Sequence, residues 1–496
     1  MAVEHFRVLI VGAGISGIGA GYFLGRKCPA HSYAILEGRN DLGGTWDLFR
    51  YPGIRSDSDM CTLGYSFRPW KESRTIADGQ AILSYLRETA QVFGIDRHIR
   101  FQHRVRSASW SSEQSCWTVD VEVGPHKELV RYTCNFLFLC SGYYDYQEGY
   151  APVFAGSGDF QGKLIHPQDW PKDFDCRGQR VVVIGSGATA VTLVPALAKT
   201  AAHVTMLQRS PSYILPIPAD DRLGKVLRKH LPERAAYRLI RWRNILRGIF
   251  FYQMCRRAPE RAKRFFRRTL AQQLPPDFAI DVHFKPHYEP WDQRVCFAPD
   301  ADLFRAIWSG RASVVTDQIV SFTKQGILLE SSQELQADVI VTATGLKLLV
   351  CGGIRLSVDG TVVEVGKCLT YKGLMLSNVP NCAVCTGYTN ASWTLRAELS
   401  SEYVCRLLNY MDRHGYTQCV PRHGAVTVQT QPLLGLTSGY IQRGSGQFPK
   451  QGFKAPWVLH QNYLFDLLSL RFGKVNDGTL AFSSASTTGP PGNPGG

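Results

Sequence analysis

The sequence predicts an α/β fold of two Rossmann-like dinucleotide-binding domains, with a helical subdomain inserted in the second. Three observations predict it. An apolar strand runs into a G-x-G-x-x-G turn at residues 12–17, and another runs into a G-x-G-x-x-A turn at residues 185–190. Between residues 213 and 288 the alternation of strand and helix gives way to a long basic, aromatic, helix-periodic stretch. Each strand–glycine turn–helix unit holds one dinucleotide, so two units imply two sites.

Composition bounds the alternatives. A chain of 496 residues is long enough for two or three domains and a sizeable core. With 44% hydrophobic and 20% charged residues, neither a disordered nor a membrane-embedded chain describes the whole. No apolar run approaches the ~18 residues of a spanning helix. The first strand is expected from residue 6, so no removable leader is expected. Fourteen cysteines scattered through a long chain fit a reducing compartment and unpaired thiols, so a cytoplasmic protein is expected. The net charge of +15 is local: between residues 222 and 268, sixteen Lys and Arg face only Glu233 and Glu260. A basic stripe can bind nucleic acid. No nucleic-acid motif accompanies this one, and no such partner is expected.

In the first unit, Gly12 permits a tight turn, Gly14 lets the backbone approach a pyrophosphate, and Gly17 lets the following helix pack closely on the strand. The helix N-terminus then offers N–H groups and its positive dipole end to the phosphates. The next strand, residues 32–36, ends in Glu37, placed to bind ribose hydroxyls. Residues 43–57 follow as a glycine-rich loop containing Gly44, Thr45, Trp46 and Asp57. A helix is expected at residues 78–94, and a small antiparallel sheet at 99–105, 117–123 and 131–133. A buried strand at 135–142 closes the unit.

The second unit repeats the logic with Gly185, Gly187, Thr189 and Ala190, but its next strand ends in Gln208-Arg209-Ser210 rather than an acid. Arg209 and Ser210 suit a 2′-phosphate where a carboxylate would take a free 2′-hydroxyl, so NADPH is expected over NADH. From residue 213 to 288 the helical stretch reads as a subdomain with a solvated basic face and a buried aromatic one. It also fits a surface that docks on anionic lipid, as Arg-rich amphipathic helices with Trp and Phe do. Strand 337–345, then a strand and helix start at 381–393 with helix 400–410, return the chain to the first domain. Cys382 and Cys385 form a C-x-x-C, but on a strand they point to opposite faces, which disfavours a redox pair. The tail from residue 483 is too poor in apolar groups to fold.

Two motifs carry a family resemblance. Residues 160–171 read F-x-G-x-x-x-H-x-x-x-W-P, and residues 43–57 read G-G-x-W-x4-Y-P-G-x3-D. Both resemble the fingerprints of type I Baeyer–Villiger monooxygenases, class B flavoproteins in which FAD sits in the first site and NADPH in the second. The resemblance implies that Asp57 lies near the flavin and orients a catalytic Arg, matched by Arg294. It implies that His166 and Trp170 couple the domains rather than perform chemistry, though His166 as a general base stands as the other reading. Gln293 departs from the Lys that many family members carry before the Arg, which leaves more of the 2′-phosphate contact to Arg209. No metal is implied.

The expected division is 1–145 and 347–482 for the FAD domain, 146–212 and 291–346 for the NADPH domain, 213–290 for the insertion and 483–496 for the tail. The implied activity is O2-dependent conversion of ketones to esters or lactones and oxidation of sulfur in thioethers or thioamides, through a C4a-peroxyflavin. The alternatives are an N- or S-oxygenating flavin monooxygenase without ketone activity, or an NADPH–flavin reductase.

Overall fold

The computed structural model describes residues 3–423 and 429–484. Most of the expected tail lies outside these, but Ser483 ends strand Leu480–Ser483, paired with Gln418–Pro421. The last strand therefore takes in the first residue of the expected tail.

Strand Glu4–Val11 is the centre of the first domain. It pairs in parallel with Tyr33–Leu36 on one side and Glu128–Leu139 on the other. The strands expected at 131–133 and 135–142 are one strand, which ends at Leu139. Its first half pairs antiparallel with Cys116–Val123, and its second half pairs in parallel with Cys382–Val384. The change of partner explains the misreading. The first half has one wet face and alternates, whereas Phe136, Leu137, Phe138 and Leu139 are buried on both faces and read as a continuous apolar run. Helix Gly79–Val92 starts where expected, with the Asp78 carboxylate accepting from the Ala81 N–H, a cap worth about 1 kcal/mol.

The second domain is a wholly parallel five-stranded sheet in the order Ala312–Thr316, His203–Gln208, Arg180–Ile184, Val339–Thr342, Lys163–Ile165. The edge strand Lys163–Ile165 comes from the linker motif itself. Strands Ile214–Ile217 and Cys296–Pro299 pair in parallel and bracket the insertion, whose longer helices are Arg222–His230, Glu233–Arg257 and Pro259–Ala271. Between the domains the chain crosses twice, and the crossings Tyr144–Gly149 and Leu346–Leu348 pair antiparallel as a two-stranded ribbon.

The insertion is tied to the first domain by a buried cation. Arg241 donates to the carbonyls of Cys61 (2.8 Å) and Gly64 (2.7 Å), and its other nitrogen lies 2.9 Å from Glu398. All fourteen cysteines are free, and Cys382 and Cys385 are buried in different core clusters. No helix among the described residues is long and apolar enough to cross a membrane.

Candidate active site

The first glycine turn is shaped as the sequence requires. Gly12 has φ +99°, and a Cβ there would stand 2.8 Å from the Cys140 carbonyl oxygen. Gly17 lies against the turn so closely that a Cβ would overlap the Gly12 carbonyl, which is why the helix can start there only with glycine. Helix Ile15–Lys27 follows with Gly14 at its N-cap. Its exposed amides face a cavity of about 480 Å³ lined by Gly12, Gly14, Glu37, Gly44, Thr45 and Trp46. Glu37 Oε2 accepts from the Ala13 N–H (2.8 Å) and Oε1 from Arg39 (2.9 Å). Burial pushes the Glu37 carboxyl pKa up, against the opposing pull of those two amides. Thr45 Oγ1 lies 3.2 Å from the Tyr146 hydroxyl, which burial pushes up to about 12.

Arg294 and Asp57 reach the same cavity from different domains. Arg294 Nη2 stands 3.6 Å from Asp57 Oδ2. Burial works against the Arg294 charge, but Asp57 and the phenols of Tyr440, Tyr143 and Tyr144 more than offset it and hold the guanidinium above its usual range. Arg294 follows a strained turn: Trp291 sits at φ +72°, a conformation rare for a bulky side chain. The turn is pinned by Asp292, whose carboxylate pairs with Arg256 of the insertion (2.6 Å) and whose carbonyl accepts from the Thr437 N–H (2.7 Å).

A second cavity, of about 880 Å³, opens from the same place. Asp57, Ser58, Ala391 and Ser392 line both, and from there the second continues under the insertion past Leu215, Ile249, Phe251, Trp291, Phe297 and Leu395.

The structure does not bring the remaining expected residues into either cavity. The second turn, Gly185 to Ala190, opens helix Ala188–Leu197, with Ala190 fully buried and Gly187 free of close neighbours. Arg209 is exposed and has no hydrogen bond or ion pair among the described residues, while the Ser210 carbonyl accepts from Ser186 Oγ (3.0 Å). Thr189 touches the Tyr51 hydroxyl, which burial pushes up to about 12 despite that bond, so the Trp46–Asp57 loop rests on the second turn. Gln293 is half-buried in the tight turn beside Arg294.

His166 lies at the interdomain ribbon, away from both cavities. Its ring occupies the space where a Gly149 side chain would project, 1.8 Å from the ideal Cβ position. Nδ1 accepts from the Gln168 N–H (3.2 Å), and burial lowers its pKa, opposed by the Gly345 and Tyr150 backbone. Trp170 packs edge-on to Phe174 at 5.6 Å, against the second domain's core. Sequence reasoning missed Tyr143, Tyr144 and Tyr440 around Arg294; the run of aromatics after residue 142 was the one available signal.

The residues around the first turn fit the dinucleotide that it implies. The first cavity meets its cradle of free amides with a strand-end carboxylate, and a side chain on Gly12 would fill the turn. The pair of turns defines a protein with two dinucleotide sites and, adjoining the first, a larger cavity with a partly apolar wall. Residues 5–223 match the FMO-like family, described as flavin-binding monooxygenase-like. The chain is 54% identical over 481 residues to the FAD-containing monooxygenase EthA of Mycobacterium tuberculosis, covering 97% of this chain and 98% of that one. It is 46% identical over 490 residues to the probable FAD-binding monooxygenase AlmA of Acinetobacter baylyi, covering 98% and 97%. The fold matches a steroid monooxygenase solved with NADP (TM-score 0.78, 21% identity, 97% of this chain and all of that one). It also matches cyclohexanone monooxygenase (TM-score 0.71, 22% identity, 84% and 90%). The chain belongs to this family of FAD-containing monooxygenases, and the family resemblance carried by its two motifs is borne out.

Proposed function

We propose that this FAD-containing monooxygenase draws hydride from NADPH and uses O2 to convert ketones to esters or lactones and to oxidise sulfur in thioethers or thioamides. The observation that carries the reading is the Arg294–Asp57 pair, set where the dinucleotide cavity meets the larger one. A steroid monooxygenase and a cyclohexanone monooxygenase share the fold, which supports the reading.

The glycine turn at residues 12–17, Glu37 and the Gly44–Trp46 loop would hold FAD; the turn at 185–190, with Arg209 and Ser210, would hold NADPH. When bound, FAD supplies hydride acceptance and, once reduced, the reaction with O2 that provides the transferred oxygen. The chain does the rest. Arg294 carries a charge that no accessible pH removes, so it holds anionic oxygen unprotonated and stabilises negative charge on a substrate carbonyl oxygen. Asp57 orients that guanidinium without locking it. The apolar stretch of wall from Leu215 and Ile249 to Phe251, Trp291, Phe297 and Leu395 would seat the hydrophobic part of a substrate, beside charged groups that include Asp59, Asp221, Arg243 and Arg247.

The test is incubation of the FAD-loaded protein with NADPH, isotopically heavy O2 and either a cyclic ketone or a thioether. Lactone and sulfoxide carrying one heavy oxygen, matched to the NADPH consumed, are expected. Sulfoxide without lactone from any ketone would restrict the activity to heteroatoms. Hydrogen peroxide as sole product would make the protein a reductase.

A further inference from the structure

Helix Glu233–Arg257 buries Tyr237, Ile240 and Arg241 against the first domain. Its outer face carries Leu239, Trp242, Leu246 and Phe250, all exposed, with Phe250 71% open to solvent. Their spacing of three, four and four residues puts them in one line along the helix. A second exposed row adjoins it. Leu464, Phe465, Leu468 and Phe472 stand out from the helical segment 463–472, and the Trp242 ring contacts Tyr463 of that segment at 5.8 Å between centroids. Leu223 and Val226 on helix Arg222–His230 extend the patch. Soluble proteins seldom leave such a contiguous apolar face uncovered.

The charges around it are unusual too. Arg222, Arg234, Arg238 and Arg247 are exposed, and none has an ion pair among the described residues. A face apolar along its middle and cationic at its margin complements a lipid surface, with side chains in the acyl boundary and guanidinium groups at the phosphates. The larger cavity shares this face: Leu223, Phe250 and Phe265, all exposed, form its outer lining, and Asp57 lies among its inner residues.

We propose that the protein docks on an anionic lipid bilayer through this face and takes its substrate, an apolar carbonyl or sulfide compound dissolved in the bilayer, directly into the cavity. Docking stands on the surface alone; the substrate half rests on the oxygenation reading above.

The experiment uses the FAD-loaded full chain and sedimentation with two vesicle types, phosphatidylcholine alone and phosphatidylcholine mixed with phosphatidylglycerol. Binding to the anionic vesicles at low salt is expected, with little binding to neutral ones. Leu239→Glu with Leu246→Glu should weaken it tenfold or more, and Arg234→Gln with Arg238→Gln by roughly fivefold per charge removed. Both pairs should keep bound flavin and its reduction by NADPH unchanged. A long-chain ketone carried in the anionic vesicles should turn over more slowly in the leucine pair, while a short water-soluble ketone should not. No vesicle binding at low salt, or binding that neither pair weakens, overturns docking. So does duplex DNA binding in its place, or a smaller oligomer for the leucine pair without vesicles, which would make the face a contact between copies. Failure to turn over either ketone would remove the oxygenation reading, and the substrate half with it, while vesicle binding decides docking independently.

Discussion

Arg294 Nη2 stands 3.6 Å from Asp57 Oδ2, close enough to attract and too far for a hydrogen bond. Other ion pairs near the same cavity are tight: Arg39 and Arg50 bind Asp47 at 2.6 and 2.7 Å. Under the proposed function, a pair this loose would let Arg294 move while Asp57 set its direction. Arg294→Ala should therefore keep flavin reduction by NADPH yet lose oxygenated product by about 100-fold or more, with hydrogen peroxide replacing it. Asp57→Asn should show a smaller loss of the same kind. Product and peroxide yields per NADPH check both, and normal coupling in Arg294→Ala would sink the assignment.

His166 and Gly149 form a second relationship, one of shape. A methyl group on Gly149 would occupy the imidazole, so Gly149→Ala must push His166 out of the ribbon that joins the domains. Overpacking of this kind costs about 1–3 kcal/mol. Removing the ring as well, with His166→Ala, should recover part of the loss; denaturant midpoints of the single and double variants measure that coupling.

The same histidine predicts a pH dependence. Burial lowers its folded-state pKa below the unfolded value of about 6.5. The neutral ring therefore contributes stability above that pH, and the contribution is lost as pH falls below it. Wild-type stability should decline more steeply than that of His166→Gln between pH 7.5 and 5.5. Burial lowers the His283 pKa also, so the difference between the two proteins is the readout.

Arg209 is expected to act through charge on the 2′-phosphate. It is exposed and unpaired among the described residues, so Arg209→Ala removes no structural contact. The KM for NADPH should rise roughly tenfold or more, as for loss of a charged hydrogen bond, while that for NADH stays put. Equal changes for the two would shift the role elsewhere.

How much of this was legible depended on whether a feature was local. The glycine turns could be read because Gly12 and Gly17 answer to backbone sterics within a few residues. The helix after Asp78 announced itself by its period. Strand Glu128–Leu139 was split in the reading because its two halves have different neighbours, and a sequence window sees only the pattern on each face. Lys163–Ile165 is too short to signal a strand and exists because Val339–Thr342 offers an edge. Tyr143 and Tyr440 meet near Arg294 from opposite ends of the chain, a convergence that no local pattern encodes.

Arg241 shows the same limit inside the basic insertion, where it reads as one more solvated cation. Instead it is buried, holds the carbonyls of Cys61 and Gly64, and faces Glu398, itself bonded to the Ser66 N–H at 2.6 Å. Arg241→Ala would leave a buried carboxylate without its cation and should lower the unfolding free energy by about 3–5 kcal/mol. Arg241→Met with Glu398→Gln should recover much of that, because the charge that needed a partner is gone. The sign with pH is fixed by Glu398. Burial raises its pKa and Arg241 opposes the rise, so without Arg241 the folded-state pKa climbs further. A group whose folded pKa is raised weakens stability as pH rises through that value and relieves it on acidification. The deficit of Arg241→Ala relative to wild type should therefore shrink between pH 8 and pH 5, as measured by denaturant unfolding. A deficit that stayed constant would mean that the lost carbonyl bonds, and not the stranded carboxylate, account for the cost.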